Sequence, residues 1–328
     1  MRIVIAADKF RGTVTAHQAC AAIASAARRA DHDCTEVPLA DGGEGLLDVL
    51  GGPNRWTTVS GPLGDPVKAG WRFDGRSAVI EMATASGLAL AGGRDGNDAV
   101  AASTRGTGQL IAAALDAGAT RILVGVGGSA TTDGGQGALD AIPVVRLRGV
   151  DLVVACDVRL PFLDAAEVFA PQKGASPAQV KLLRRRLDAL AGALRVRYDV
   201  DVTELVHAGA GGGLAGGLAS IGAELVSGFD LVAEEVGLAD HVEAADLVIT
   251  GEGYLDDESF DGKVVGGVCA LADAAGVPVL IVVGGVDPEL LDGRDVLVLT
   301  DLVGERAAMD DTEGSLDAVV TSWFESRR

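Results

Sequence analysis

Between residues 246 and 301 the chain writes DLVITGE, then GKVVGGVCALADAA, then VPVLIVVGG, then DVLVLTD, which reads as strand, helix, strand, strand. The strands are apolar along their whole length, not at every second position, so both of their faces have to be covered. Strand–helix alternation covers a parallel sheet in that way. The N-terminus repeats the pattern: RIVIAA (2–7) as a strand, TAHQACAAIASAARRA (15–30) as a helix with Thr15 at its N-cap, and TEVPLA (35–40) as a second strand. The expected fold is therefore α/β. One parallel, Rossmann- or flavodoxin-like sheet is formed by the N- and C-terminal segments, and a second α/β domain is inserted between them. The boundaries fall near 83 and 245, giving residues 1–83 plus 246–328 as one discontinuous domain and 84–245 as the insert. Before the first boundary, 56–82 predicts two or three strands around the turns GPLGDP and DGRS. A helix over 104–117, strands over 121–126 and 151–158, and a helix over 176–195 opened by Ser176-Pro177 follow.

Composition narrows the function classes. The 328 residues are 48% hydrophobic but only 4% aromatic, so the core must be built from Ala, Val, Leu and Ile. The net charge of −20 argues against sequence-independent binding of nucleic acid or anionic membranes, which needs clustered cations. The basic run Lys181, Arg184, Arg185 and Arg186 reads as a solvated helix face. Cys20, Cys34, Cys156 and Cys269 form no CxxC and no zinc spacing, which suits free thiols in a reducing compartment. MRIVIAADKF reads as a strand, not a signal peptide, and no apolar run is long enough to span a bilayer. A cytoplasmic protein with no membrane or nucleic-acid partner is expected. Nothing in the sequence sets an oligomeric state, and a homodimer is left open.

Glycine and acid recur together just after predicted strands, in ADGGEG (40–45), VGGSATTDGG (126–135), HAGAGGGLAGG (207–217) and TGEGYLDD (250–257). Open α/β sheets bind ligands at the carboxyl ends of their strands. Glycine there lets backbone N–H groups approach an anion, and carboxylates can hold Mg²⁺, which bridges to substrate phosphates. Asp41, Glu44, Asp133, Asp157, Glu252 and Asp256 form the candidate Mg²⁺ and acid–base set. Any one loop alone is better explained as a turn with an Asp cap, and it is the recurrence in four loops that points to function. GVGGSA (125–130) and GGGLAG (211–216) imitate the dinucleotide motif, but neither sits cleanly between a strand and a long helix, and no Walker A motif is present. His207 precedes one glycine loop. Ser129 suits a phosphate contact as well as a nucleophile.

The chain resembles the bacterial two-domain, ATP-dependent glycerate kinases. The segments that carry the resemblance are MRIVIAADKFRGTVTA, PLADGGEG, SGPLGDPV, AVIEMATASGLAL, RGTGQLIAAALDAGA, GVGGSATTDGG, ACDV, VFAPQKGA, AGAGGGL and ITGEGYLDDESFDGK, in the family's order and over nearly the whole chain. The resemblance implies ATP and Mg²⁺ as cofactors and phosphorylation of D-glycerate, usually on O2, in a cleft between the two domains. On that basis Asp157, Lys173 and Asp133 are the expected catalytic residues, with Lys173 neutralising charge on the transferred group. Asp8, Lys9, Arg11, Asp41 and Glu44 would bind substrate. Gly42, Gly43, Gly127, Gly128, Ser129, Gly209, Gly211, Gly212, Gly251 and Gly253 would hold nucleotide phosphates, and Glu252 and Asp256 the metal. The chain departs from the family pattern at Lys9 and Arg11 (family DSFKG), at Tyr254 and Glu258 (family TGEGRLDxQ), and in a shortened 141–166 region with Leu160 in place of Asn. These departures keep a second expectation alive, a relative that binds a nucleotide or small sugar acid without catalysis or with another substrate.

Overall fold

A computed structural model describes residues 1–10, 12–260, 262–290 and 293–327. Its strands are β1 (Arg2–Ala7), β2 (Asp33–Glu36), β3 (Arg55–Ser60), β4 (Pro66–Phe73), β5 (Ser77–Glu81), β6 (Arg121–Gly125), β7 (Asp151–Cys156), β8 (Glu224–Ser227), β9 (Leu247–Leu255), β10 (Val279–Val286) and β11 (Asp295–Val298). They form two sheets, and the chain divides into two compact units, residues 1–41 with 229–328 and residues 42–228.

The first unit carries the wholly parallel sheet β11-β10-β9-β1-β2, joined by N- and C-terminal segments as the alternation requires. The fully apolar strands are explained by a core on each face. Leu280 and Val282 of β10 point to one side with Ile3, Ile5, Ile23 and Leu316, while Ile281 and Val283 point to the other with Val265 and Cys269. Helices Ala16–Arg29 and Thr312–Glu325 supply the first layer, and Val264–Ala275 the second. Thr15 caps the first of these through a reciprocal pair with Gln18, an arrangement that contributes about 1 kcal/mol.

The second unit carries the mixed sheet β3-β4-β5-β6-β7-β8, antiparallel from β3 to β5 and parallel beyond. The boundary expected near 83 lies instead at 41, and the one near 245 at 228. The reason is strand pairing: the β3–β4 hairpin hydrogen-bonds to β5, and β5 to β6, so residues 55–81 belong to the second sheet. Its core is almost free of aromatics, and Phe162 is its largest fully buried side chain. Among the described residues no helix is long and apolar enough to cross a membrane.

Candidate active site

In the second unit the segment after β6 turns sharply at Gly127 and Gly128 (φ +70°). Gly127 is glycine because two other groups lie against it: a Cβ there would stand 2.4 Å from the Gly43 backbone and 3.3 Å from Asp157 Oδ2. A Cβ on Gly128 would stand 2.5 Å from Glu44 Oε1. The fold thus brings Gly43, Glu44, Gly127, Gly128 and Asp157 together. Carbonyl groups of this turn are used, with Leu88 N–H donating to Gly128 O at 2.9 Å, and Ala130 N–H donates to Ser86 O at 3.0 Å. The N–H groups of Gly127, Gly128 and Ser129, by contrast, donate no hydrogen bond among the described residues. Three successive unspent donors in a largely buried turn form an anion-binding concavity.

Lys173 lies against the same turn. It sits in the short turn Pro171–Lys173 and is only 4% exposed. Its Nζ donates to Ser129 Oγ at 2.6 Å and to Thr131 O at 2.8 Å. Burial pulls its pKa down to about 8, opposed by the charges of Asp157 and Asp133. Two of its three protons are committed, and the third remains for a ligand. Asn97, which no motif singled out, fixes this arrangement: its Nδ2 donates to Lys173 O at 2.8 Å and to Ala130 O at 3.0 Å.

Asp133 is placed differently from its expected role. Its Oδ2 accepts from Thr104 N, Thr104 Oγ1 and Gly137 N at 2.8, 2.9 and 3.2 Å, and Oδ1 from Gly135 N at 3.1 Å. Burial raises its pKa while those four donors pull the other way. A carboxylate spent on four internal donors joins two helix starts, Arg105–Asp116 and Gln136–Ala141, and leaves little for a metal or a substrate proton. Asp133→Ala should therefore destabilise the fold by about 2–4 kcal/mol, with turnover per folded molecule reduced less than about tenfold, a cost far below that of removing a general base. Urea unfolding with parallel activity assays checks this. Unchanged stability with a hundredfold loss of rate would restore the catalytic role.

The glycines of 209–217 pack against other parts of the chain. Gly209, Gly211 and Gly212 are buried against protein. A Cβ would stand 2.5 Å from Pro161 O at Gly209, 3.0 Å from Val126 Cβ at Gly211 and 1.9 Å from Thr131 O at Gly212. They let one backbone segment lie on another, under the loop that holds Lys173. His207 reaches the same neighbourhood, its Nδ1 2.7 Å from Val158 O. Gly42 likewise packs on backbone, a Cβ there meeting Gly228 Cα at 2.9 Å. Glu81, a further residue missed in the sequence, is buried at the end of β5 and accepts from Gly45 N and Leu47 N at 3.2 and 3.1 Å, which holds the 42–45 loop.

In the first unit, acids gather at the carboxyl ends of β1 and β9. Asp8 is 6% exposed, and Lys9 Nζ lies 3.6 Å from Asp8 Oδ1 and 3.9 Å from Asp41 Oδ1. Burial raises Asp8 to about 7, against the Lys9 charge, and Asp41 adds to the rise. Burial likewise raises Glu252 to about 7, with Asp8 and Asp256 raising it further and Ser259 and Lys263 lowering it. Glu252 Oε1 is buried without a hydrogen-bond partner. Asp256 is engaged locally, its Oδ1 accepting from Ser259 N at 3.0 Å. Among the described residues no group of three or more His, Cys, Asp or Glu side chains converges as a metal site. Gly251 and Gly253 lie inside β9, which runs on to Leu255 and pairs with β10 as far as Val286, so they are strand residues, not a loop. A Cβ on Gly251 would stand 1.9 Å from Val282 O. Arg11 lies outside the described residues.

Two carboxyls held protonated by burial make a pH prediction. Each binds a proton in the folded state up to about pH 7 but releases it near 4 when unfolded. The folded chain therefore binds more protons between those limits, and stability rises as pH falls from 8 to 5. A thermal midpoint higher at pH 5.5 than at pH 8, in metal-free buffer, is expected. A lower one would show these carboxyls ionised in the fold.

The departures noted in the sequence have local partners. Tyr254 is exposed, its ring lies over Gly285, and its hydroxyl donates to Asp287 Oδ1 at 2.8 Å. Glu258 accepts from Lys263 Nζ at 2.9 Å. Lys263 is a cation beside Glu252 and Asp256.

Comparison with known proteins gives the family. The family described as the glycerate kinase family matches residues 3–147 and 144–319. The chain is 37% identical over 331 residues to the glycerate 2-kinase of Escherichia coli (strain K12), covering 88% of this chain and 87% of that protein. It is 38% identical over 327 residues to the glycerate kinase of Bacillus subtilis (strain 168), covering 87% and 85%. A crystal structure described as glycerate kinase 2 of Salmonella typhimurium LT2 superimposes with a TM-score of 0.82 at 33% identity, over 100% of this chain and 98% of that one. The chain belongs to the glycerate kinase family.

Proposed function

We propose that the chain transfers the γ-phosphoryl group of ATP to the 2-hydroxyl of D-glycerate. The observation that carries this is the buried turn with three unspent N–H groups at Gly127, Gly128 and Ser129, backed by the ammonium of Lys173. Phosphoryl transfer needs little covalent help from protein, and depends on positioning and on stabilising charge that spreads over the equatorial oxygens. In a chain of net charge −20, backbone donors and one buried lysine supply that without a cluster of cations.

The remaining roles are part of the same proposal. Asp157, beside Gly127, takes the proton of the attacking hydroxyl as the new oxygen–phosphorus bond forms and the bond to the β-phosphate oxygen breaks. Glu44 flanks the turn from the other side and binds substrate through its hydroxyls. In the first unit Lys9, held between Asp8 and Asp41, is a cation suited to a carboxylate, with Arg11 two residues on in sequence. Asp133 acts by positioning the loop. Glu252, whose Oε1 is buried and unpartnered, fits a hard cation, and Mg²⁺ needs only one or two carboxylates when phosphates complete its shell. When bound, Mg²⁺ neutralises phosphate charge.

The test is ADP formation by the folded chain with Mg²⁺, ATP and D-glycerate. Glycerate-dependent ADP release is expected. Stabilisation by ATP with no glycerate-dependent release would contradict the proposal and favour a non-catalytic nucleotide binder.

A further inference from the structure

In the second unit a cavity of about 450 Å³ lies between the helix Pro177–Tyr198 and the segments 100–102 and 132–136. That falls within the range of small-molecule sites, about 300–1,000 Å³. Its walls are apolar, with Ala102, Leu183, Ala189 and Leu190 facing it. Four polar side chains also line it, one of them Asp133, whose carboxylate is already spent on Thr104, Gly135 and Gly137. Thr132 is 2% exposed, and its buried Oγ1 has no hydrogen-bond partner. Gln136 donates its amide N–H to Asp140 Oδ1 at 2.8 Å, which leaves its amide oxygen as an acceptor. Arg186 donates to Val100 O at 2.9 Å and has no ion pair among the described residues. Its neighbour Arg184, by contrast, is paired with both Asp164 and Glu167.

A buried hydroxyl left without a partner is costly, so the group is poised for a ligand. That ligand must have apolar faces and a polar edge. An acyl chain would leave Thr132 and Gln136 unmet, and a sugar acid would leave the apolar walls unmet. An aromatic base with hydrogen-bonding edges satisfies both. The location supports the same choice. One loop carries the free amides of Gly127–Ser129, the Thr131 carbonyl that holds Lys173, and then Thr132 at the cavity. A nucleotide joins a base to phosphates, and this loop joins a base-like slot to a phosphate-like turn. We infer that the cavity takes the purine base of the nucleotide, with Thr132 and Gln136 on its edge and Arg186 at the rim. The inference rests on the kinase reading above.

Two variants test it in the full chain. Ala189 is exposed on its helix, so Ala189→Trp can fill the slot without disturbing the core. Thr132→Val removes the hydroxyl at nearly constant shape. Calorimetric titration with ADP in the presence of Mg²⁺ should show affinity weakened about tenfold or more in each, as for loss of a well-fitted apolar or hydrogen-bonding contact. The KM for ATP should rise in parallel, and the KM for glycerate should stay within about twofold. ADP affinity unchanged in both variants overturns the site, and does so independently of the kinase proposal if wild-type chain still phosphorylates glycerate. Wild-type chain that neither binds ADP nor turns over removes both.

Discussion

Lys173→Met is expected to lower kcat by about 10²–10³-fold, the usual loss for one preorganised electrostatic group in a water-excluded site. The residue is 4% exposed, bonded to Ser129 Oγ and Thr131 O, and next to the three free amides of the 127–129 turn. Methionine keeps the length and apolar stem but removes the charge. Stability should change by no more than about 1–2 kcal/mol, because the buried charge carried a desolvation cost that offsets the lost hydrogen bonds. Turnover in the wild-type chain should show the same group by pH. Only the ammonium form carries the charge, and burial has brought its pKa down to about 8. The rate should therefore be intact below that value and fall as pH rises through it, and the residual rate of Lys173→Met should lack that limb. A variant with wild-type kcat, or one that retains the limb, would place the phosphoryl-stabilising charge elsewhere.

Gly212→Ala should destabilise the chain by about 3–5 kcal/mol, combining overpacking with strain at positive φ. The position has φ +69°, and a Cβ would stand 1.9 Å from Thr131 O and 2.7 Å from Thr131 C, which are backbone atoms that cannot swing aside. Relief requires Thr131 to move, and Thr131 O is one of the two acceptors that hold Lys173. Stability and turnover should therefore fall together. Gly222→Ala is the control: its φ is +98°, but nothing lies within 4 Å of the added carbon, so only the left-handed backbone cost of about 1 kcal/mol is expected. Equal denaturation midpoints for the two variants would show that the 209–217 glycines are not packing residues.

Those glycines illustrate what a sequence can and cannot disclose. Glycine is required wherever a backbone is approached closely, whether the visitor is a phosphate or another stretch of chain. GGSATTDGG and HAGAGGGLAGG look alike on that count, yet the first presents unspent amides and the second is buried against Val126, Thr131 and Phe162. The joining of N- and C-terminal segments in one parallel sheet was legible because apolar strands such as VPVLIVVGG demand cover on both faces. The unit boundary was not, since the hairpin 55–73 carries alternation but no mark of which sheet it extends. Lys173 was visible through the PQKG segment of the family resemblance. Its burial was not, because Ser129, Thr131 and Asn97 come from distant parts of the chain. Asp133 was visible as an acid in a glycine loop, but two of its four donors come from Thr104, a helix start 29 residues away in sequence.

Phosphorus NMR of the products formed by wild-type chain, Mg²⁺, ATP and D-glycerate tests the central claim most directly. Equal amounts of ADP and phosphoglycerate are predicted, with the phosphoryl group on O2, and neither product should accumulate at a comparable rate with Lys173→Met. ADP accompanied by free phosphate, or no ADP from a folded wild-type chain, would contradict the account.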